Sequence, residues 1–227
     1  MAINTARLFT DTPVPDGLLN ASVALSGTPS RPQGSLSLSL TDIAFPDSDM
    51  PPAAVRIDGA LRPSGLVLKL KTDGMGTSPA TGTVSLPLSF SASGVPTLPL
   101  NKPFSGTLSW EGALASLWRF VPLANSSLTG QGSLSVLLSG TLSAPDLSAS
   151  LRIENAMFEE VLAGLALSDI NASASLRSGG LSRLSLSATD GQGGAVGLNG
   201  TIGPLASGFP LSLHGTCLLY TSDAADD

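Results

Sequence analysis

The stretch Gly34-Ser-Leu-Ser-Leu-Ser-Leu40 alternates polar and apolar residues at every position. Successive side chains of a β-strand point to opposite faces, so the leucines share one face and the serines the other. The same alternation recurs in residues 66–71, 132–136, 147–153 and 181–187. Clusters of Gly, Pro, Asn and Asp separate these runs, as turns require. Many short strands at intervals of roughly 8 to 12 residues predict an all-β fold, here an elongated, curled antiparallel or mixed sheet.

One segment departs from this alternation. Leu114, Leu117, Trp118 and Val121 have helical spacing, which predicts one short helix near residues 113–121 that ends before Pro122. Such a helix can cap the core of the sheet, and the alternative is a helix that docks a partner.

Landmarks of the sequence also recur over a long interval. Ser26-Gly27-Thr28 returns as Ser139-Gly140-Thr141, an offset of 140 − 27 = 113 residues. Pro32 with Pro145 and Phe45 with Phe158 follow at the same offset. Next come Thr72-Asp-Gly-Met-Gly76 with Thr189-Asp-Gly-Gln-Gly193, at an offset of 190 − 73 = 117, and Gly82-Thr83-Val84 with Gly200-Thr201-Ile202. We therefore predict two β repeat units, residues 1–99 and 100–215, that build a sheet with one continuous apolar stripe.

Both ends of the chain carry separate predictions. The first residues, MAINTARLFTDTPVPDG, lack the basic-then-apolar pattern of a signal peptide, which favours a piece of a longer protein over a mature start. Residues 216–227 break the alternation, and CLLYTSDAADD resembles translated sequencing-adapter sequence. We predict a non-native tail there, the alternative being an ordinary acidic terminus.

Composition excludes several classes of protein. Apolar residues make up 42% of the 227 residues, which argues against disorder. A formal charge of −6 argues against a nucleic-acid partner, because such binders need a basic patch. The sequence has no run of about twenty apolar residues, so it predicts no membrane-spanning helix. The single cysteine, Cys217, cannot form an internal disulfide.

Catalytic and metal-binding constellations are absent from the sequence pattern. His214 is the only histidine, so a catalytic triad would have to use it. Asp73 and Asp190 each supply one carboxylate to a Gly-rich turn, too few for calcium. Gly191-Gln-Gly-Gly194 precedes a strand and lacks the Lys of a phosphate loop. We predict that the protein is not an enzyme and holds no metal or cofactor.

The second repeat carries a family resemblance. Its motifs are Gly130-Gln-Gly-Ser-Leu-Ser-Val-Leu-Leu-Ser-Gly-Thr-Leu-Ser-Ala-Pro145, then Leu147-Ser-Ala-Ser-Leu-Arg-Ile-Glu-Asn-Ala-Met-Phe158, Gly164-Leu-Ala-Leu-Ser-Asp-Ile170 and Ala188-Thr-Asp-Gly-Gln-Gly-Gly194. Their order resembles the C-terminal half of the TamB family (translocation and assembly module subunit TamB), within the AsmA-like superfamily. The resemblance extends over residues 20–213, and it is strongest over residues 100–205.

The resemblance implies a specific setting and function. Family members form a β-taco trough, are anchored in the inner membrane and cross the periplasm of the cell envelope. Their apolar groove is thought to carry phospholipid between the inner and outer membranes. They also support protein secretion, in the assembly of autotransporters and other outer-membrane proteins, through an Omp85-type barrel. The anchor and the barrel-docking region lie outside the matched residues, and the family offers no catalytic residues.

An apolar stripe of this kind can hold acyl chains, because each buried CH₂ contributes about 0.8 kcal/mol. The alternative is a structural β-solenoid stalk or autotransporter passenger repeat in which the same leucines seal a dry core. The candidate lining of a lipid groove is Val23, Leu25, Leu36, Leu38, Leu40, Leu66, Leu68, Leu70, Leu134, Val136, Leu138, Leu151, Ile153, Leu184 and Leu186.

Overall fold

A computed structural model describes residues 16–44, 51–121, 123, 125–204 and 210–218. The strands in these ranges are β1 (Asp16–Thr28), β2 (Arg31–Ala44), β3 (Ala53–Arg62), β4 (Gly65–Asp73), β5 (Thr81–Leu86), β6 (Ser89–Phe90), β7 (Pro96–Thr97), β8 (Ser105–Ala113), β9 (Ser126–Thr141), β10 (Ala144–Glu160), β11 (Leu165–Arg177), β12 (Ser182–Thr189), β13 (Ala195–Ile202) and β14 (Leu211–Leu218). The one described helix, α1, spans Ala115–Trp118.

Sequential strands pair with their chain neighbours in a single open sheet. Its order is β1-β2-β3-β4-β5-β8-β9-β10-β11-β12-β13-β14, and β6 and β7 form a separate hairpin. The large sheet is antiparallel and not closed. The predicted all-β class with one short helix is confirmed, in its antiparallel rather than its mixed form.

Helix α1 is a single turn, shorter than the segment near residues 113–121 that the spacing predicts. Ala113 belongs to β8, and Pro122 lies outside the described residues. The Trp118 ring meets the edge of Phe158 at 5.8 Å between centroids. The Trp118 indole also donates a hydrogen bond to the carbonyl oxygen of Ser126 at 3.3 Å. The apolar spacing of this segment is therefore used in contacts within the chain.

The described residues form two compact units. The first contains the described residues up to Gly112 together with Ser135–Leu147. The second contains Ala113–Leu134 and the described residues from Ser148 onward, which include most of β10. This division follows packing, whereas the units predicted over residues 1–99 and 100–215 follow sequence recurrence and stay a prediction.

Structural landmarks recur at the interval that the sequence shows. Gly27 and Gly140 have φ values of 90° and 89° in matching hairpin turns. Asp42 and Asn155, 155 − 42 = 113 residues apart, both adopt left-handed backbone, with φ of 56° and 49°. Short Asx side chains tolerate this conformation better than other residues with a Cβ.

Each of these Asx residues lies in a β-bulge that keeps the apolar face in phase. Register shifts between Leu40 and Ile43 in β2, and between Ile153 and Ala156 in β10. At this point in each strand, the apolar residues shift from even to odd positions or the reverse. The extra residue of the bulge returns them to the original face of the sheet. Ile43 and Ala156 are accordingly buried, at 6% and 1% exposure.

The Asp-Gly turns behave as predicted. Oδ1 of Asp190 accepts hydrogen bonds from the backbone N–H groups of Gln192, at 2.8 Å, and Gly194, at 2.7 Å. Gly74 and Gly191 share a φ of 74° in the two related turns. The carboxylate of Asp190 thus organises the turn.

Some sequence predictions fall outside the described residues. They concern the start of the chain in residues 1–15, the Phe45 landmark and residues 219–227 of the predicted tail. The described part of that tail belongs to β14, in which Cys217 pairs with Val196. Among the described residues, no helix has the length and apolarity needed to cross a membrane.

Candidate functional site

Two rows of cross-strand neighbours build the apolar face of the first unit. Side chains in register across neighbouring strands lie on the same face of a sheet. The first row is Val23, Leu36, Gly59, Leu68, Val84 and Gly106, and the second is Ala21, Leu38, Ile57, Leu70, Gly82 and Leu108. The serines of the alternating strands form the opposite face. The alternation read from the sequence therefore produces one continuous apolar surface in this unit.

Two glycines lie in the lining of a hollow on this surface. A Cβ at Gly82 would meet the Leu108 side chain at 3.4 Å, and one at Gly106 would meet Leu138 at 3.2 Å. The hollow measures about 360 Å³ and lies between these glycines and the surrounding leucines and valines. Its apolar lining is Ile57, Leu68, Leu70, Val84, Leu108, Val136 and Leu138.

A second, smaller hollow lies on the same face near the β6–β7 hairpin. It measures about 200 Å³ and is bordered by Val23, Leu25 and Leu36 of the sheet and by Leu88 and Phe90. The hairpin segment thus borders one part of the apolar face.

The candidate lining residues are not sealed in a core. All of them are half-buried or exposed, and Val23 and Leu25 expose 63% and 68% of their surface. The buried apolar residues among those described are instead Ile43, Ala53, Ala80, Trp110, Leu114, Ala156, Ile170 and Ala188. Buried volume is therefore concentrated at bulges, turns and strand ends.

The opposite face of the first unit carries charged side chains that are exposed to solvent. The Arg56 guanidinium donates to both carboxylate oxygens of Asp58, at 2.8 and 3.2 Å, and the Ser37 hydroxyl donates to Oδ1 at 2.9 Å. The hydrogen bonds from Arg56 and then Ser37 hold the pKa of Asp58 below its usual range. The bond to Asp58 raises the pKa of Arg56. The two faces thus offer chemically different environments to a ligand.

This ion pair predicts a local acid sensitivity. Because the folded pKa of Asp58 is lowered, its contribution to the free energy of unfolding is present above the unfolded pKa of about 3.9 and is lost as pH falls through the folded value. We expect Asp58→Asn to flatten the fall in stability below about pH 4, as measured by urea unfolding from pH 7 to pH 3. Arg56→Gln should act in the same direction. An unchanged acid slope in both variants would contradict this assignment.

The second unit places its candidate residues differently. Leu151, Ala174 and Leu184 follow one another across three strands, and Ile153 and Leu186 lie in the neighbouring row, so they share an apolar face as predicted. The two hollows described for this unit, about 720 and 450 Å³, are lined mainly by residues of the opposite, polar face.

The sequence pattern did not reveal two features, one in the apolar hollow of the first unit and one in the larger polar hollow of the second. Gly82 and Gly106 shape the apolar hollow, but a glycine gives no signal in a hydrophobic pattern. Arg152 and Arg183 border the larger polar hollow, and their positions in alternating strands predict only exposure to solvent. A count of cationic residues on the polar face would have found them.

Comparisons with protein-family models, with curated proteins and with solved structures gave no match for this chain. In the described part of the chain, no three His, Cys, Asp or Glu side chains lie close enough together to hold a metal ion. The geometry of the two faces and the motifs of the sequence are therefore the guide to function.

Proposed function

We propose that the apolar face of the first unit binds the acyl chains of phospholipid. The observation that carries this proposal is the row of half-exposed aliphatic side chains that runs across six neighbouring strands and deepens into the hollow beside Val84. Its lining offers hydrocarbon on every side. A phosphate headgroup would remain in water at the open side of the hollow.

Energetics favour an aliphatic occupant. Each methylene that leaves water for this surface contributes about 0.8 kcal/mol, so a chain segment of about six methylenes gains about 5 kcal/mol before its ordering cost. The same contact covers leucines that are otherwise exposed to water. No polar anchor is needed, since the gain follows apolar area and not direction.

The wider role follows from the resemblance to the TamB family. In this proposal the chain is a segment of a TamB-like protein of the periplasm, anchored in the inner membrane through another segment. It carries phospholipid between the inner and outer membranes and supports outer-membrane protein and autotransporter assembly with an Omp85-type barrel. The order of Gly, Pro and Leu landmarks supports this assignment, and the open apolar face is the surface that it requires.

A matched pair of substitutions on β5 tests lipid binding. Val84 and Ser85 are adjacent and on opposite faces, and Ser85 does not line the hollow. We expect Val84→Asp to lower the phospholipid retained on the purified protein by at least about tenfold, because a carboxylate cannot be buried against hydrocarbon unpaired. Ser85→Asp, on the opposite face, should retain the wild-type amount. Native mass spectrometry measures bound lipid, and circular dichroism confirms the sheet.

A milder variant keeps the test decisive if Val84→Asp fails to fold. Val84→Thr places one hydroxyl in the hollow at nearly constant volume and should still reduce bound lipid. Equal lipid on Val84→Thr and the wild type, or no lipid on the wild type, would overturn the proposal. Unfolding of Val84→Thr would instead indicate the dry core of a structural stalk.

A further inference from the structure

We propose that the larger polar hollow of the second unit is a binding site for a phosphorylated sugar. This hollow, about 720 Å³, lies within the range of about 300–1,000 Å³ that is typical of small-ligand sites. Its ligand chemistry differs from that of the apolar face, and it does not depend on lipid binding. Three observations support it.

The first observation is a row of polar residues that crosses five strands. Arg152 of β10, Ser173 of β11, Ser185 of β12, Asn199 of β13 and His214 of β14 are paired in register. The short side chains in the middle form a floor, and the longer Arg and His side chains stand at its two ends. Ser173 and Ser185 hydroxyls are 2.8 Å apart and hydrogen-bonded to each other. The arrangement gives a depression between a guanidinium and an imidazole.

The second observation is the position of Arg183. It lies in the next row, opposite Ser175 on one side and Thr201 on the other. Arg152 and Arg183 are thus two strands apart, roughly 10 Å across the sheet. Both side chains border the same hollow and are long enough to reach a group bound between them.

The third observation is the sign of the charge. The chain carries a formal charge of −6, yet no Asp or Glu occurs among the residues that line this hollow. Among the described residues, no carboxylate lies within 4.0 Å of the Arg183 guanidinium, while Arg152 contacts Glu154 outside the hollow at 3.3 Å. An uncompensated guanidinium recognises phosphate well, because its planar donors match the oxygens of the anion.

The hydroxyl and amide groups of the floor indicate which kind of phosphorylated ligand the hollow would bind. Ser, Thr and Asn side chains both donate and accept hydrogen bonds, which suits a ligand rich in hydroxyl groups. An acyl chain would leave these groups unpaired at a cost. Leu151, Ala174 and Leu184 of the same strands also border this hollow, beside its polar groups.

Calorimetry with glucose 6-phosphate tests the site, using the full chain. We expect Arg183→Gln to weaken binding by at least about tenfold, since a hydrogen bond to a charged group is lost, and Arg152→Gln to weaken it as well. Arg177→Gln is the matched control, because Arg177 lies on the same face beside Ser148 and outside the hollow. All three arginines are exposed, so the variants should fold.

Two further ligands identify which chemistry is recognised. Glucose tests the sugar without charge, and inorganic phosphate tests the charge without sugar; both should bind at least about tenfold more weakly than glucose 6-phosphate. Equal binding of inorganic phosphate would overturn the assignment of a sugar. Equal affinity of wild type and Arg183→Gln, or absence of any binding, would overturn the site itself.

Discussion

Trp110→Ala is expected to lower the free energy of unfolding of the first unit by about 3–5 kcal/mol, the range for truncating a buried aromatic residue. Trp110 is only 6% exposed, although it lies near the end of β8 in a sheet with few buried large side chains. Its indole N–H donates a hydrogen bond to the carbonyl oxygen of Met75. The substitution therefore removes apolar volume and leaves that carbonyl without its partner.

The neighbouring turn explains why this site cannot collapse easily. A Cβ on Gly76 would lie 3.0 Å from the Trp110 indole nitrogen, so turn and ring are in close contact. Trp110→Phe keeps much of the apolar volume and loses the hydrogen bond, and it should cost about 1–3 kcal/mol. Urea unfolding of both variants measures the difference. A loss below about 1 kcal/mol in Trp110→Ala would contradict the structural role of this ring.

This substitution also separates stability from binding. Trp110 is not part of the hollow beside Val84. Folded Trp110→Ala protein should therefore retain phospholipid at the wild-type ratio, whereas Val84→Asp should lose it. A parallel loss of lipid in both variants would show that the lipid measurement reports folding.

The alternation of Leu and Ser was enough to predict strands and their two faces, because a period of two leaves little choice of orientation. It left open whether the sheet is antiparallel or mixed. Leu36, Leu38 and Leu68 lie on one face as their spacing predicts. The pattern could not predict where this face carries a hollow. The hollow includes Gly82 and Gly106, and a glycine gives no signal in an alternating pattern.

The alternating pattern also could not predict that two arginines of the polar face border one hollow. Positions 152 and 183 alternate with apolar residues just as the surrounding serines do, and a strand gives no sign that they border one hollow. Their proximity arises from the register of β10, β11 and β12, in which Arg152 and Arg183 occupy neighbouring rows. Register is a property of the paired strands and could be read only from the structure.

The repeat was visible in the sequence, but the physical reason for its spacing was not. Asp42 and Asn155 look like ordinary polar residues until their left-handed backbone is seen. Each supplies the bulge that keeps Ile43 or Ala156 on the apolar face. The two bulges lie 155 − 42 = 113 residues apart, the interval at which Ser-Gly-Thr recurs in the sequence.

The bulge in the second unit makes Gly130 the other position with a large expected effect. Gly130 has a φ of 111°, and a Cβ there would lie 2.5 Å from the Ala156 Cα and 2.8 Å from its Cβ. The clashing atoms are the Cα and Cβ of Ala156, so no flexible side chain can move to relieve the clash. Ala156 is also only 1% exposed. We expect Gly130→Ala to cost about 3 kcal/mol, combining backbone strain with overpacking.

Gly179→Ala is the matched control for this prediction. A Cβ at Gly179 would have no atom within 4 Å, and the residue has no left-handed φ, so its substitution should change stability by at most about 1 kcal/mol. Urea unfolding at a fixed pH measures both variants against the wild type. Equal stability of Gly130→Ala and Gly179→Ala would mean that β10 can shift away from Gly130, and the bulge would then not fix the register on which the apolar face of this unit depends.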